Sequence, residues 1–250
     1  LHEDPRRQRQ MCIRDRSNDI DPADDITVAN DFTITAGELD LSTHTATVTG
    51  TSDVNGTLTI SAGTFDANGT FDATGGNVTF SGAGRLELGG TVTSLGTFTG
   101  GGSSTVSYNG ASTQTIDDFG AKSGPYDNLD LDGGGQKDLS GNTTVDGVLS
   151  WSADCDMTTN GHTLTIKQSP TGYDDNRVIT GGSSTTVSVA YSSSSTSECF
   201  IPVGIDGDVR DISISAASAT AETYTVVYTP WSPLGGPGTL FNAHLGGAPI

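Results

Sequence analysis

Val28-Ala-Asn-Asp-Phe32-Thr-Ile34-Thr-Ala36-Gly37-Glu-Leu39-Asp40 is matched position for position by Val54-Asn-Gly-Thr-Leu58-Thr-Ile60-Ser-Ala62-Gly63-Thr-Phe65-Asp66, at a constant offset of 26. A third copy begins at Val145 and runs through Gly147, Leu149 and Trp151 to Ala153. Apolar residues two apart, separated by Thr or Ser, mark a strand with one buried face. The Ala-Gly step after it reads as a turn, because glycine accepts the left-handed backbone of a tight corner. Beyond the turn a second short strand carries Leu39 and Leu41 in one copy and Phe65 in the other.

A unit of this size cannot bury its apolar face alone, but stacked units can, which predicts an all-β, parallel β-solenoid whose repeat is that offset of 26. Looser copies continue the pattern at Asn77–Phe80, Gly84–Leu88, Gly90–Val92, Gly96–Thr99 and Thr105–Tyr108. Gly63-Thr-Phe65-Asp66 and Gly69-Thr-Phe71-Asp72 also echo each other six residues apart. Two such copies are too few to define a hexapeptide period. The alternative is an array of antiparallel hairpins, since short Gly-rich links also serve as hairpin turns. The parallel coil is preferred because the same face pattern returns in the same chain direction.

The composition agrees with many short strands. The 250 residues include 34 Gly and, by count, 37 Thr and 27 Ser, with only 6% aromatics. Eleven basic residues stand against 30 acidic ones, a formal charge of −19. That balance argues against unaided binding to nucleic acid or to an anionic membrane, both of which require a basic face. No apolar run approaches the roughly 20 residues of a spanning helix, so no membrane insertion is expected.

Residues 1–16 break the trend. They hold five of the eleven basic residues and no Gly or Thr, and Met11-Cys-Ile-Arg-Asp-Arg16 resembles the translation of a transposon-derived sequencing adapter. The segment is read as non-native and left out of the fold. Residues 17–25 are then a linker, and 26–170 the solenoid. After Ser169-Pro170-Thr-Gly172 longer alternating stretches appear, including Thr185–Tyr191, Cys199–Ile201, Asp211–Ser215 and Thr223–Tyr228. They predict a β-sandwich-like module over 171–250. Pro230-Trp231-Ser-Pro233 to Gly238 reads as loop, with no closing strand after it, so the module is expected to be incomplete and the chain a fragment.

Phe200-Ile-Pro202-Val203-Gly204, Asp211–Ile214 and Tyr224–Tyr228 resemble a module of very large secreted proteins of Bacteroidota-type bacteria. Ser104-Thr-Val106-Ser-Tyr108-Asn109-Gly110-Ala-Ser-Thr-Gln114-Thr-Ile116 and Tyr126-Asp-Asn128-Leu129-Asp-Leu131 are similar to their coils. The resemblance covers about residues 26–240. It implies a β-solenoid stalk, an adhesin-like role, an extracellular or cell-surface location, and an extracellular polysaccharide or another cell surface as partner.

Motifs for chemistry are sparse. Asn128-Leu-Asp130-Leu-Asp132-Gly133 opens like a calcium loop, but the twelfth position is Leu139 rather than a bidentate Glu. In a strand, Leu129 and Leu131 point inward while Asp130 and Asp132 face solvent, which is the preferred reading. His44, His162 and His244 lie in no metal-ligand or base arrangement. Asp66 and Asp72 are outward carboxylates of the kind that cleave polysaccharide when paired at a fixed separation. Beyond residue 16 only Arg85, Arg177, Arg210 and three lysines remain to stabilise a carbanion.

Thr-x-Thr pairs at 33/35, 57/59, 91/93, 97/99 and 163/165 suggest an ice-binding ladder, but an offset of 26 sets Thr57 against Asp31. Cys155 and Cys199 are read as small buried residues, with a disulfide as the open alternative. The chain is therefore expected to be a structural or adhesive segment rather than an enzyme. No catalytic, cofactor-binding or metal-ligating residue is assigned. The alternative is a carbohydrate-binding accessory module of a secreted polysaccharide-degrading enzyme. Trp151, Trp231, Tyr173, Tyr191 and Tyr228 would then stack on sugar, although Trp151 sits in the inward phase of its repeat and reads as core.

Overall fold

A computed structural model describes residues 20–118, 124–182, 187–193, 197–205, 208–215, 222–231 and 238–244. Residues 1–16, the adapter-like segment, lie outside the described residues. The chain divides into two compact units, 1–104 with 121–124, and 105–120 with 125–250.

The first unit is four turns of a three-sided parallel β-solenoid. The first turn holds β1 (Ile26–Val28), β2 (Phe32–Ile34) and β3 (Glu38–Asp40), and the second β4 (Thr45–Val48), β5 (Ser52–Val54) and β6 (Thr57–Ile60). The third holds β7 (Thr64–Ala67), β8 (Phe71–Asp72) and β9 (Asn77–Phe80), and the fourth β10 (Arg85–Leu88), β11 (Val92–Ser94) and β12 (Thr97–Thr99). Three parallel sheets result, ordered β1-β4-β7-β10, β2-β5-β8-β11 and β3-β6-β9-β12.

The register corrects the expected period. Ile26 pairs with Ala46, Ala46 with Phe65, and Phe65 with Leu86, so the chain returns to the same side after 20, 19 and 21 steps. The offset of 26 is one turn of twenty plus one side of six. Phe32 and Ile34 accordingly lie on the second side of their turn, whereas Leu58 and Ile60 lie on the third side of theirs. The six-residue echo, set aside as a period, is the step from one side to the next, from β7 to β8. Any side can match any other because each faces the same core.

That core is apolar apart from Ser52, which is buried between its register partners Phe32 and Phe71. Phe65, Phe71, Val54, Leu58, Ile60, Val78 and Leu86 are completely buried. Phe65 meets Phe32 at 5.9 Å and Phe71 at 6.1 Å between ring centroids, and Phe80 meets Phe98 at 5.6 Å. Such tilted ring pairs add about 0.5–1.5 kcal/mol each to the burial of their area.

The corners explain the glycines. Gly50, Gly69 and Gly90 stack between the first and second sides, and a Cβ on Gly69 would sit 2.2 Å from the carbonyl oxygen of Gly50. One on Gly90 would sit 2.2 Å from that of Gly69. The two repeat-copy glycines differ. Gly37 has the left-handed φ of 79° that its turn predicts. Gly63 instead lies against the backbone of His44, where a Cβ would come within 2.1 Å of the carbonyl oxygen.

The second unit begins with β13 (Thr105–Tyr108) and β14 (Gln114–Ile116), and Tyr126 bridges to Val145 where a third side would stand. Next come β15 (Asn128–Leu131), β16 (Lys137–Leu139) and β17 (Thr143–Val145), then β18 (Leu149–Trp151), β19 (Met157–Thr158) and β20 (Thr163–Ile166). The third copy of the motif, Leu149 and Trp151, thus occupies the first side of its turn. A further turn runs through the Thr171 bridge, β21 (Ile179–Thr180) and β22 (Val187–Ser193). Parallel-paired residues here are 19 to 25 apart, for example Tyr126 with Val145, Leu129 with Leu149 and Leu164 with Val189.

Parallel pairing continues past residue 170. β20 pairs with β22 and β21 with β23 (Cys199–Ile205) in parallel. Antiparallel pairing begins with β24 (Asp208–Ile214) on β23 and β25 (Glu222–Trp231) on β22. β26 (Gly238–His244) pairs antiparallel to β25, so a strand follows the Pro/Gly-rich stretch where none was expected.

Gly69→Ala is expected to cost about 1–3 kcal/mol through backbone crowding at the corner, and Phe65→Ala about 3–5 kcal/mol through the cavity it leaves. Denaturant unfolding of the purified variants reads both, and wild-type stability in either would contradict the stacking described.

Candidate functional site

The outward face of β3-β6-β9-β12 carries two straight rows. Glu38, Thr57, Asn77 and Thr97 are directly paired in one, and Asp40, Thr59, Thr79 and Thr99 in the other. Rows lie two residues apart along the strand, about 6.6 Å, and neighbours within a row about 4.8 Å apart. Asn77 Nδ2 donates to Thr57 Oγ1 at 3.4 Å, Thr59 Oγ1 donates to Glu38 Oε1, and Ser61 and Ser81 join through their hydroxyls at 2.6 Å. Asn77, Thr97 and Thr99 are exposed. One row stacks threonine on threonine, Thr59 on Thr79 and Thr79 on Thr99, whereas Thr57 and Thr97 each lie against Asn77, so no Thr-x-Thr pair lies on another pair. Thr33 instead faces Asp53, and Thr165 faces Thr144.

The candidate acids do not converge. Asp66 lies in β7 and Asp72 in β8, on adjacent sides of the coil parted by a corner. The basic side chains are largely committed to partners. Arg85 Nε contacts Glu87 at 2.7 Å, Arg177 Nη2 contacts Asp154 at 2.7 Å, and Lys167 Nζ contacts Asp146 at 2.6 Å. His44 Nδ1 lies 3.7 Å from Asp25, and His162 is half-buried. The side chain of His244 lies outside the described residues. Among the described residues no group of three metal-ligating side chains occurs.

Asp130 departs from expectation. It points outward from β15, yet only 4% of it is exposed. Ser107 Oγ donates to its Oδ2 at 3.2 Å, while Ser150 Oγ and Ser152 Oγ donate to Oδ1 at 3.0 and 2.8 Å. Hydroxyls of the turns on both sides thus replace solvent around the carboxylate, and Asp132 turns back to accept from the Gly133 N–H at 2.7 Å.

Of the aromatic candidates, Trp151 and Tyr191 are buried and Tyr173 half-buried. The side chains of Tyr228 and Trp231 lie outside the described residues. Trp151 occupies the inward position that its repeat predicts. Cys155 and Cys199 are both buried free thiols.

Two polar clusters inside the second unit were not singled out from sequence. Tyr126 Oη donates to the carbonyl of Asp117 at 2.7 Å, and the Asp117 N–H donates to Tyr108 Oη at 3.0 Å. The two hydroxyls are 3.0 Å apart, so the remaining proton, on Tyr108, closes the ring onto Tyr126. In the second cluster Lys137, fully buried, donates through Nζ to the carbonyl of Gly110 and to Gln114 Oε1, each at 2.8 Å. The Gly110 N–H donates to the same Oε1 at 2.8 Å. Burial lowers the pKa of Lys137, with the charges of Cys155 and Asp132 acting the other way, and burial raises that of Cys155 to about 11. The available signal was phase: Gln114 and Lys137 share the inward phase of Ile116 and Leu139, at positions that should be apolar.

Comparison with known protein families, with curated proteins and with solved structures finds no match for the chain.

Burial holds the Tyr108 and Tyr126 phenols protonated well above their ordinary value of 10.0. Their folded pKa values exceed the unfolded ones, so the stability they confer is intact below pH 10 and is lost as pH climbs beyond it. Replacing both with Phe is expected to cost about 1–3 kcal/mol at pH 7, by stranding the Asp117 backbone groups. Above pH 10 the wild-type urea midpoint should fall towards that of the double variant. A pH-independent gap would contradict this linkage.

Proposed function

We propose that the chain is a structural or adhesive segment of a longer secreted or cell-surface protein, extending a stalk and presenting its outer rows without catalysing a reaction. The observation that carries this reading is the near-constant turn-on-turn register of the first unit, with glycine columns at its corners. Such a coil gains length by a fixed step without enlarging its core. The acidic exterior keeps so extended a surface from self-association. An extracellular polysaccharide or another cell surface is the proposed partner. The carbohydrate-binding alternative has less support, because among the candidate aromatics whose side chains are described Trp151 and Tyr191 are buried and only Tyr173 is partly exposed.

Long-read sequencing across the source locus tests the stalk directly. Coils of the same short length repeating through the parent reading frame and ending in a sorting domain are the expected result. An adjoining catalytic domain would make this segment an accessory module.

A second reading rests on the polar rows of β3-β6-β9-β12, which hold Thr57, Thr59, Thr79, Thr97 and Thr99 beside Glu38, Asp40 and Asn77. Hydroxyls repeated at the two row spacings offer water a regular array of hydrogen-bond sites. Ice-recrystallisation inhibition by the purified protein, lost in Thr79→Tyr with an unchanged β spectrum, is the expected outcome on this reading. Absence of thermal hysteresis and of recrystallisation inhibition disposes of it.

A further inference from the structure

Lys137 and Gln114 are direct partners in the β14-β16 ladder, both facing inward. Their functional ends meet in the core of the second unit, where Gln114 is 4% exposed and Lys137 not at all. Gly110 holds both: its carbonyl accepts from Lys137 Nζ and its N–H donates to Gln114 Oε1, each at 2.8 Å. Nζ is 2.8 Å from Oε1, so with a C=O bond of about 1.2 Å it lies no more than about 4 Å from the amide carbon Cδ. A primary amine and a carboxamide are thus fixed side by side, away from bulk water, with an N–H group on the carbonyl oxygen.

We propose that Lys137 and Gln114 join in an intramolecular isopeptide bond, from Nζ of Lys137 to Cδ of Gln114, which staples two successive turns of the second unit. Neutral Nζ attacks Cδ, and the oxygen that gains charge, Oε1, stays on the Gly110 N–H. The Cδ–Nε2 bond then breaks as one proton passes from Nζ to Nε2, and the nitrogen leaves as ammonia. Amine plus primary amide gives secondary amide plus ammonia, so atoms balance and no oxidant or cofactor is consumed.

Three features favour the step. Fixing both groups in the folded core replaces a bimolecular encounter with an intramolecular one. A preset N–H donor on the developing oxyanion lowers the barrier where water is excluded. Burial also shifts Lys137 towards its nucleophilic neutral form. The bond does not depend on the stalk reading, although a covalent link between turns suits a segment under tension.

Intact-mass spectrometry of the purified, folded full chain provides the test. The expected result is a mass lower than the sequence mass by one ammonia, kept after denaturation, and a branched proteolytic peptide joining Gln114 to Lys137. Lys137→Arg and Gln114→Met should each restore the mass expected from sequence. The proposal is overturned if the folded wild type has the full sequence mass. It is equally overturned if the lost ammonia maps to succinimide at an Asn-Gly step such as Asn109-Gly110 rather than to a branched peptide. Because the wild-type mass decides, a variant that fails to fold leaves the answer intact.

Discussion

Backbone hydrogen bonds between successive parallel strands set every other dimension of this chain. Within the first unit, Thr57 N–H donates to the Gly37 carbonyl, Asn77 N–H to that of Gly56 and Thr97 N–H to that of Gly76, at 2.8 to 3.0 Å. These bonds hold one turn about 4.8 Å above the last. At that distance each residue lies directly on its counterpart, so side chains are selected by what lies above and below. Leu58 stacks on Val78 and Ile60 on Phe80 inside, and Thr59 on Thr79 outside. At the corners the turns approach so closely that backbone touches backbone and only glycine fits.

The same constraint explains which parts of the fold were legible. Alternation of Phe32 with Ile34, and of Leu58 with Ile60, reports the strand and its buried face, because both follow from the backbone alone. The coil length does not follow in that way. Three sides share one core and demand the same alternation, so the strongest internal match falls wherever two sides happen to agree. Here that was the second side of one turn and the third side of the next, giving 26 rather than 20. The threonine rows were hidden by the same error, since Thr57 belongs beside Glu38 and Asn77, not Asp31.

Candidate chemistry was less legible because it turns on exposure rather than phase. Asp130 has the outward phase that sequence assigns it, but serines on neighbouring turns close over it. Those serines are a full turn away along the chain in either direction, and common enough that no motif marks them. Asp66 and Asp72 look like neighbours in sequence yet are parted by a corner. In a solenoid six residues change the face, whereas twenty keep it.

The two units also differ in what a longer turn does to the interior. The first unit keeps the short turn set by the Ile26, Ala46, Phe65 and Leu86 column, and its core is apolar apart from Ser52. In the second the turn lengthens, so that Val106 pairs with Leu129 and Gln114 with Lys137, each at an offset of 23. Additional residues between strands carry additional peptide groups, and buried ones must find partners outside the ladder. The observed partners match that demand: Lys137 and Gln114 take the carbonyl and N–H of Gly110, while Tyr126 and Tyr108 take those of Asp117. Each of these four polar side chains thus answers a backbone group that a longer turn leaves outside the ladder. Shortening the turn without removing Lys137 would strand the amine, and removing Lys137 without shortening the turn would strand the carbonyl. In the turn that carries Gly110 and Asp117, the polar interior and the added residues therefore go together.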